Sequence, residues 1–131
     1  IPVMGICVGM QILANSSDEG SEKGLGWIDA DVKLFDNSSI KHKTKLPHMG
    51  WNTINPNPEI FLNTDLNSGA RFYFLHSYYF ECYHVADIIA TTKYGIEFTS
   101  AVNSDNIYGV QFHPEKSHQN GLMVLKNFAE L

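Results

Sequence analysis

The sequence predicts an α/β fold in which an antiparallel part extends a parallel sheet. Three observations carry that expectation. A short apolar run, Ile1 to Ile6, leads directly into an apolar helical stretch, Val8 to Ala14. A long strand-rich stretch follows, and a helical pattern closes the chain.

Ile1 to Ile6 reads as a buried strand end, and Val8 to Ala14, apolar on most sides, as a buried helix. Asn15 to Gly26 is polar and glycine-bearing, which marks a surface loop. From Ile28 to Leu34 apolar and polar residues alternate. Ile28, Ala30, Val32 and Leu34 fall on one face, and Asp29, Asp31 and Lys33 on the wetter one. Phe35 to Lys45 reads as a loop, and Leu46 to Asn52 as an irregular segment exposing large residues. Asn55 to Gly69 is rich in Asn and Pro, with Ile60, Phe61 and Leu62 as an apolar anchor. Arg71 to Cys82 is strongly aromatic and reads as strand. Val85 to Thr92, Ile96 to Val102 and Ile107 to Phe112 are three more strands, the last two joined by the hairpin composition Asn103-Ser104-Asp105-Asn106. Ser117 can cap a final helix, with Leu122, Leu125, Phe128 and Ala129 on one face.

The composition narrows the function. Hydrophobic residues make up 44% of 131 residues and charged ones 18%, which supports a buried core and excludes a disordered chain. Nine Lys and Arg against fourteen Asp and Glu leave a net charge of −5, against the basic face a nucleic-acid partner needs. No apolar run approaches the roughly 18 residues that span a bilayer. Two cysteines, Cys7 and Cys82, fit a reducing, cytoplasmic compartment better than a disulfide framework, with a single Cys7–Cys82 bridge the alternative. The chain opens Ile1-Pro2-Val3-Met4-Gly5, inside what reads as core, so a truncated chain is expected.

Two segments carry chemistry. Gly5-Ile6-Cys7-Val8-Gly9 lies between a strand and a helix, the setting of a nucleophile elbow with Cys in the Ser position. Small residues at both ends would relieve clashes in the strained turn. A thiol at a helix N-terminus would have a lowered pKa. The Val8 N–H is placed to hold an oxyanion. A buried structural Cys beside a glycine-bearing strand end is the competing reading. In Gln111-Phe112-His113-Pro114-Glu115, an extended backbone would put His113 and Glu115 on one side, so that the carboxylate fixes the tautomer of an imidazole base. Alternatives are a strand-end His, or a metal held by His113, Glu115 and His118. Together the segments make a Cys–His–Glu constellation.

Gly5-Ile6-Cys7-Val8-Gly9-Met10-Gln11 and Gly109-Val110-Gln111-Phe112-His113-Pro114-Glu115-Lys116-Ser117 resemble the two signature segments of class I (triad) glutamine amidotransferases. Leu25-Gly26-Trp27, Pro47-His48-Met49-Gly50-Trp51-Asn52 and Tyr73-Phe74-Leu75-His76-Ser77-Tyr78 resemble one branch of them, the glutaminase subunits that serve imidazole glycerol phosphate synthesis in histidine biosynthesis. The resemblance covers nearly the whole chain. It implies a flavodoxin-like sheet with an antiparallel extension, truncated at the N-terminus, so that residues 1–131 are the C-terminal portion of a single amidotransferase domain.

It also implies roles. Cys7 would attack the side-chain amide of glutamine, with His113 as base and then acid and Glu115 orienting it. Gln11, Glu19, Ser77 and Tyr78 match positions that bind the α-amino and α-carboxylate groups. Taken alone, Gln11 is a polar residue on a helix face and Glu19 a solvated loop acid. Ammonia would pass to a separate (β/α)₈ cyclase subunit, faced by Met49, Trp51, Lys116 and Ser117. For Met49 and Trp51 core packing competes with that role; Lys116 alone is an ordinary solvated lysine. No cofactor is implied. The family carries sheet strands and a second oxyanion donor ahead of the elbow. Without one such donor the rate should fall by about 10²–10³, so poor activity is expected of these residues in isolation.

Three other readings stay open. A paralogous subunit could supply ammonia for amidination of surface-polysaccharide sugars. The same fold could serve as a catalytically silent interaction module. It could also carry another thiol hydrolase, such as a γ-glutamyl peptidase.

Overall fold

Strands from both halves of the chain build the main sheet. The computed structural model describes residues 1–35, 46–57 and 70–131. Strand β1 spans Val3–Ile6, α1 Val8–Ile12, β2 Ser16–Ser17, β3 Ala30–Leu34, β4 His48–Thr53 and β5 Asn55–Pro56. Strand β6 spans Arg71–His76, β7 Tyr78–Cys82, β8 Ile88–Tyr94, β9 Ile96–Ser104, β10 Ile107–Val110, and helix α2 His118–Ala129. The hairpin from β9 to β10 turns at Asp105, whose φ of 53° is a left-handed position that Asp tolerates. Asn103 Nδ2 braces the turn by donating to the carbonyls of Asp105 and Ile107.

Among the described residues eight strands form one sheet, ordered β1-β10-β9-β7-β3-β2, with β8 pairing β9 and β5. The β1–β10 and β2–β3 pairs are parallel, and the other pairs antiparallel. This is the expected parallel sheet with an antiparallel extension. A second, two-stranded sheet pairs β4 with β6. Each face of the main sheet has its own core. Met10, Leu13, Ile28, Val32, Phe80 and Val102 pack under α1. Phe72, Phe74, Phe98, Phe112, Val110 and Val124 pack on the other side, beneath β6 and α2. The phenylalanines there meet at angles, with Phe74 edge-on to Phe98 at 6.0 Å between centroids.

Several elements differ from expectation. The aromatic stretch is two strands, because the chain leaves one sheet for the other at Ser77, where its carbonyl accepts from Phe35 N. The segment expected to be irregular is strand from His48 onward: β4 pairs along its length with β6, and only Leu46 and Pro47 lie outside it. Leu34 is exposed and Phe35 takes the buried place at the strand's end. Val85–Asp87 is a 3-10 turn rather than strand, with Val85 exposed. Helix α1 buries Met10 and Gln11 but exposes Val8 and Ile12. In α2 the buried stripe is Gly121 and Val124, while Leu122 is exposed. The anchor Ile60-Phe61-Leu62 and the loop beyond Phe35 lie outside the described residues.

The polar face of β3 is tied down. Asp31 accepts from Ser16 Oγ and from the Tyr83 hydroxyl, and Asp29 accepts from Asn15 Nδ2 and pairs with His84 at 2.9 Å. Cys7 and Cys82 are both free thiols.

Candidate active site

Two adjacent parallel strands end at the same edge. Register pairs Gly5 with Gly109 and Ile6 with Val110, so Cys7 and Gln111 emerge side by side at the carboxyl ends of β1 and β10. In α/β sheets ligands bind beyond such ends. Cys7 occupies the elbow with φ 53° and ψ −110°, held by its N–H donating to Val110 O at 2.8 Å. A backbone in this region costs on the order of 1–3 kcal/mol and persists only where its surroundings enforce it. Gly5 is part of that enforcement: a Cβ there would stand 2.4 Å from Gly9 O. Gly9 differs from expectation, since a Cβ on it would meet nothing within 4 Å.

The Cys7 thiol is 7% exposed. Burial pushes its pKa up, outweighing donation from the Val8 N–H and the Gln111 amide and the nearby charge of Lys116. This corrects the expectation of a thiol acidified by its helix. Helix α1 is only five residues long, and the thiolate loses more by desolvation than it gains from one turn of dipole. At rest Cys7 therefore holds its proton as a neutral thiol.

His113 lies just beyond β10. Its N–H donates to Tyr73 O at 2.9 Å, and its own carbonyl accepts from Ser117 Oγ at 2.6 Å and Lys116 N at 3.1 Å. Its Nδ1 meets Glu115 Oε1 at 2.6 Å. A carboxylate there fixes the proton on Nδ1 and leaves the Nε2 lone pair free to take another. Glu115 is half exposed, so the pair orients the ring more than it stabilises the fold. Among the described residues no hydrogen bond joins the His113 ring to Cys7 Sγ, which instead contacts Leu75 O and Gln111 Nε2, each at 3.6 Å.

A cleft of about 210 Å³ opens on the thiol. Cys7, Val8, Gln11, Glu19, Ser77 and Tyr78 line it, with Leu75 and His76. Gln11 Nε2 donates to Tyr78 O and to Gln111 Oε1, and Glu19 is exposed at the rim. Gln111, fully buried, is a site residue that sequence reasoning misses. The available signal is its place two residues before His113, but no local pattern aims an amide at a sulfur one strand away.

The four residues expected to face a partner separate. Met49 and Trp51 are 62% and 39% exposed on the outer face of β4, opposite Leu75 and Tyr73 of β6. Lys116 is exposed, with its ammonium 5.9 Å from the Tyr73 ring centre. Ser117 is buried, so it presents no surface. It sits at the start of α2, but its hydroxyl does not cap the helix; it accepts from Tyr73 N and donates to His113 O. His118 stacks on Trp51 at 5.3 Å, and among the described residues no group of three or more His, Cys, Asp or Glu is arranged to hold a metal ion.

A cysteine elbow beside a His–Glu pair, on a mixed sheet of this order, defines a class, and comparison with known proteins agrees: the family Glutamine amidotransferase class-I matches residues 1–131, and the chain belongs to it. Within the family the chain is 54% identical over 131 residues to imidazole glycerol phosphate synthase subunit HisH of Leptospira borgpetersenii. It is 48% identical over 130 residues to the HisH 2 subunit of Pseudomonas aeruginosa. The matches take in 100% and 99% of this chain, and the chain spans 64% and 63% of those relatives' lengths. The crystal structure of a glutamine amidotransferase from Thermotoga maritima shares the fold, with a TM-score of 0.65 at 18% identity over 99% of this chain and 47% of that one.

Proposed function

We propose that this chain carries the glutaminase chemistry of an amidotransferase subunit that feeds ammonia to a (β/α)₈ cyclase subunit in imidazole glycerol phosphate synthesis. The observation that carries it is Cys7, a buried thiol on a left-handed elbow at the floor of the cleft, one strand from an oriented imidazole. Cys7 Sγ attacks the side-chain carbonyl carbon of glutamine as its proton passes to His113 Nε2. The Val8 N–H donates to the oxygen on which charge develops. As that tetrahedral species collapses, His113 returns the proton to the leaving nitrogen, and ammonia departs from a glutamyl thioester. Water, deprotonated by His113, then cleaves the thioester to glutamate and restores the thiol. Because burial holds the thiol protonated, His113 acts as a base in the first step and not merely as a counter-ion.

Gln11, Glu19 and the backbone of Ser77 and Tyr78 hold the amino and carboxylate groups of glutamine. The partner docks on the exposed Met49–Trp51 face and Lys116. The HisH relatives support the acceptor, and the two free thiols are in keeping with a reducing compartment such as the cytoplasm.

The test uses the complete gene product with its co-purified cyclase-like subunit. Cys7→Ala should abolish glutamine-dependent synthesis and spare synthesis from added ammonia. Survival of both overturns the nucleophile; a co-purifying subunit that makes no imidazole product overturns the pathway.

A further inference from the structure

Two buried histidines, His76 in the wall of the cleft and His48 behind it, take no part in the chemistry above. His48 of β4 and His76 of β6 face each other in register, 3% and 6% exposed. His48 Nδ1 and His76 Nε2 are 3.0 Å apart. His76 Nδ1 is 2.8 Å from Tyr78 O, and His48 Nε2 is 3.2 Å from Asn52 Nδ2.

The proton positions follow from the two ends, independently. Tyr78 O can only accept, so His76 Nδ1 carries a proton, and its Nε2 is the acceptor. At the other end Asn52 Oδ1 accepts from Thr53 N at 2.8 Å and its Nδ2 donates to Lys93 O at 2.9 Å. That sets the amide's orientation, so Nδ2 donates to His48 Nε2, and His48 carries its proton on Nδ1. Both ends demand the same direction. The chain runs one way, from Asn52 through His48 and His76 to the Tyr78 carbonyl, with every donor matched to one acceptor. Desolvation supports it by keeping both rings neutral, lowering His48 to about 3 and His76 to about 4.

The last acceptor is part of the cleft. Tyr78 O also takes the Gln11 amide, which reaches on to Gln111, and Gln111 to Cys7 Sγ. We infer that His48, backed by Asn52, is a positioning residue for glutamine: through His76 it fixes the Tyr78 carbonyl, and with it the Gln11 wall of the cleft. The inference rests on the proposed glutaminase reading. Without the His48 donor, His76 is free to take its proton on Nε2. Its Nδ1 lone pair would then face the Tyr78 oxygen, and the wall would shift.

Two substitutions separate this role from packing. The His48 ring stacks between Phe74 and Tyr94, with centroids at 4.8 and 3.9 Å. His48→Phe keeps an aromatic ring and loses the donor. His48→Asn loses the ring but can place its amide nitrogen where Nδ1 stood. In the complete gene product with its partner, His48→Phe should raise KM for glutamine about tenfold, the scale of one lost hydrogen bond. Its kcat should be little changed. His48→Asn should stay within about threefold of the parent KM while melting lower than His48→Phe. A KM that follows melting temperature across the three proteins overturns the inference. If the variants do not fold, ¹⁵N chemical shifts of the parent's histidine rings decide it: both rings protonated on Nδ1 upholds the chain, and either protonated on Nε2 overturns it. An absence of glutamine hydrolysis in the parent would instead sink the glutaminase reading and leave the ring shifts as an independent answer.

Discussion

Gly121 lies against the carbonyl of Pro114 so closely that a Cβ on it would stand 1.8 Å from the Pro114 oxygen. The first turn of α2 is thereby pressed onto the 3-10 turn Pro114–Lys116 that directly follows His113. Gly121 is fully inside the fold, and its N–H donates to Ser117 O, so neither side has room to give.

Gly121→Ala should therefore destabilise, although alanine in an unhindered helix interior gains about 1 kcal/mol over glycine. The contact must open by more than an ångström, and the moving part is the turn that carries Glu115 away from His113. The expected result is a melting temperature lowered by several degrees and a glutaminase kcat reduced at least about tenfold, read by thermal denaturation and steady-state kinetics. A variant as stable and active as the parent would show that the turn tolerates displacement.

Gln111 and Cys7 make a second prediction. The Gln111 amide stabilises the charged form of a thiol whose burial opposes charge. Gln111→Leu keeps the volume and removes the donor, so the Cys7 pKa should rise further. The pH midpoint of Cys7 alkylation by a glutamine-mimicking reagent should move to higher pH. The alkylation rate near pH 7 should fall by about tenfold. An unchanged profile would mean that the Val8 N–H alone governs the thiol.

The histidine pair sets the acid side of stability. Both rings have folded pKa values below the ordinary 6.5, at about 3 and about 4. Between those values and 6.5 the unfolded chain binds more protons than the folded one. Stability is therefore fully present above pH 6.5 and is lost as pH falls, down to about 4 for His76 and about 3 for His48. By pH 4.5 the loss should be roughly 2 kcal/mol for each ring. Chemical denaturation at pH 7 and 4.5 measures it. In His48→Phe the decline should be markedly shallower, since one titrating ring is gone. An equal slope would assign acid lability to other groups.

Much of this is legible in the sequence because the informative patterns are local. Gly5-Ile6-Cys7-Val8-Gly9 reads as an elbow because a strand must turn there, and the alternation from Ile28 to Leu34 reports a half-buried strand, of which Ala30–Leu34 pairs as β3. Such patterns state that one face of an element is buried; they do not say against what. Ser117 illustrates the limit. Beside Lys116 it looks like a surface residue at a helix start, yet a strand more than forty residues earlier draws its hydroxyl inward to Tyr73. The stretch Arg71 to Cys82 is strongly aromatic on both sides of Ser77, and no local period marks that residue as the point where the chain changes sheets.

The order of residues along the chain specifies the chemical inventory: a thiol at a strand–helix turn, an imidazole two residues from a carboxylate, and strand periods sufficient for a mixed sheet. These are properties of neighbouring residues, set by backbone sterics and side-chain periodicity. Three things depend on the folded arrangement: Cys7 is a buried thiol rather than an acidified one, Gln111 serves it, and His48 and His76 form a directed chain. Desolvation and hydrogen bonding act between groups brought together across 28 to 104 residues of chain, and no local period records that distance.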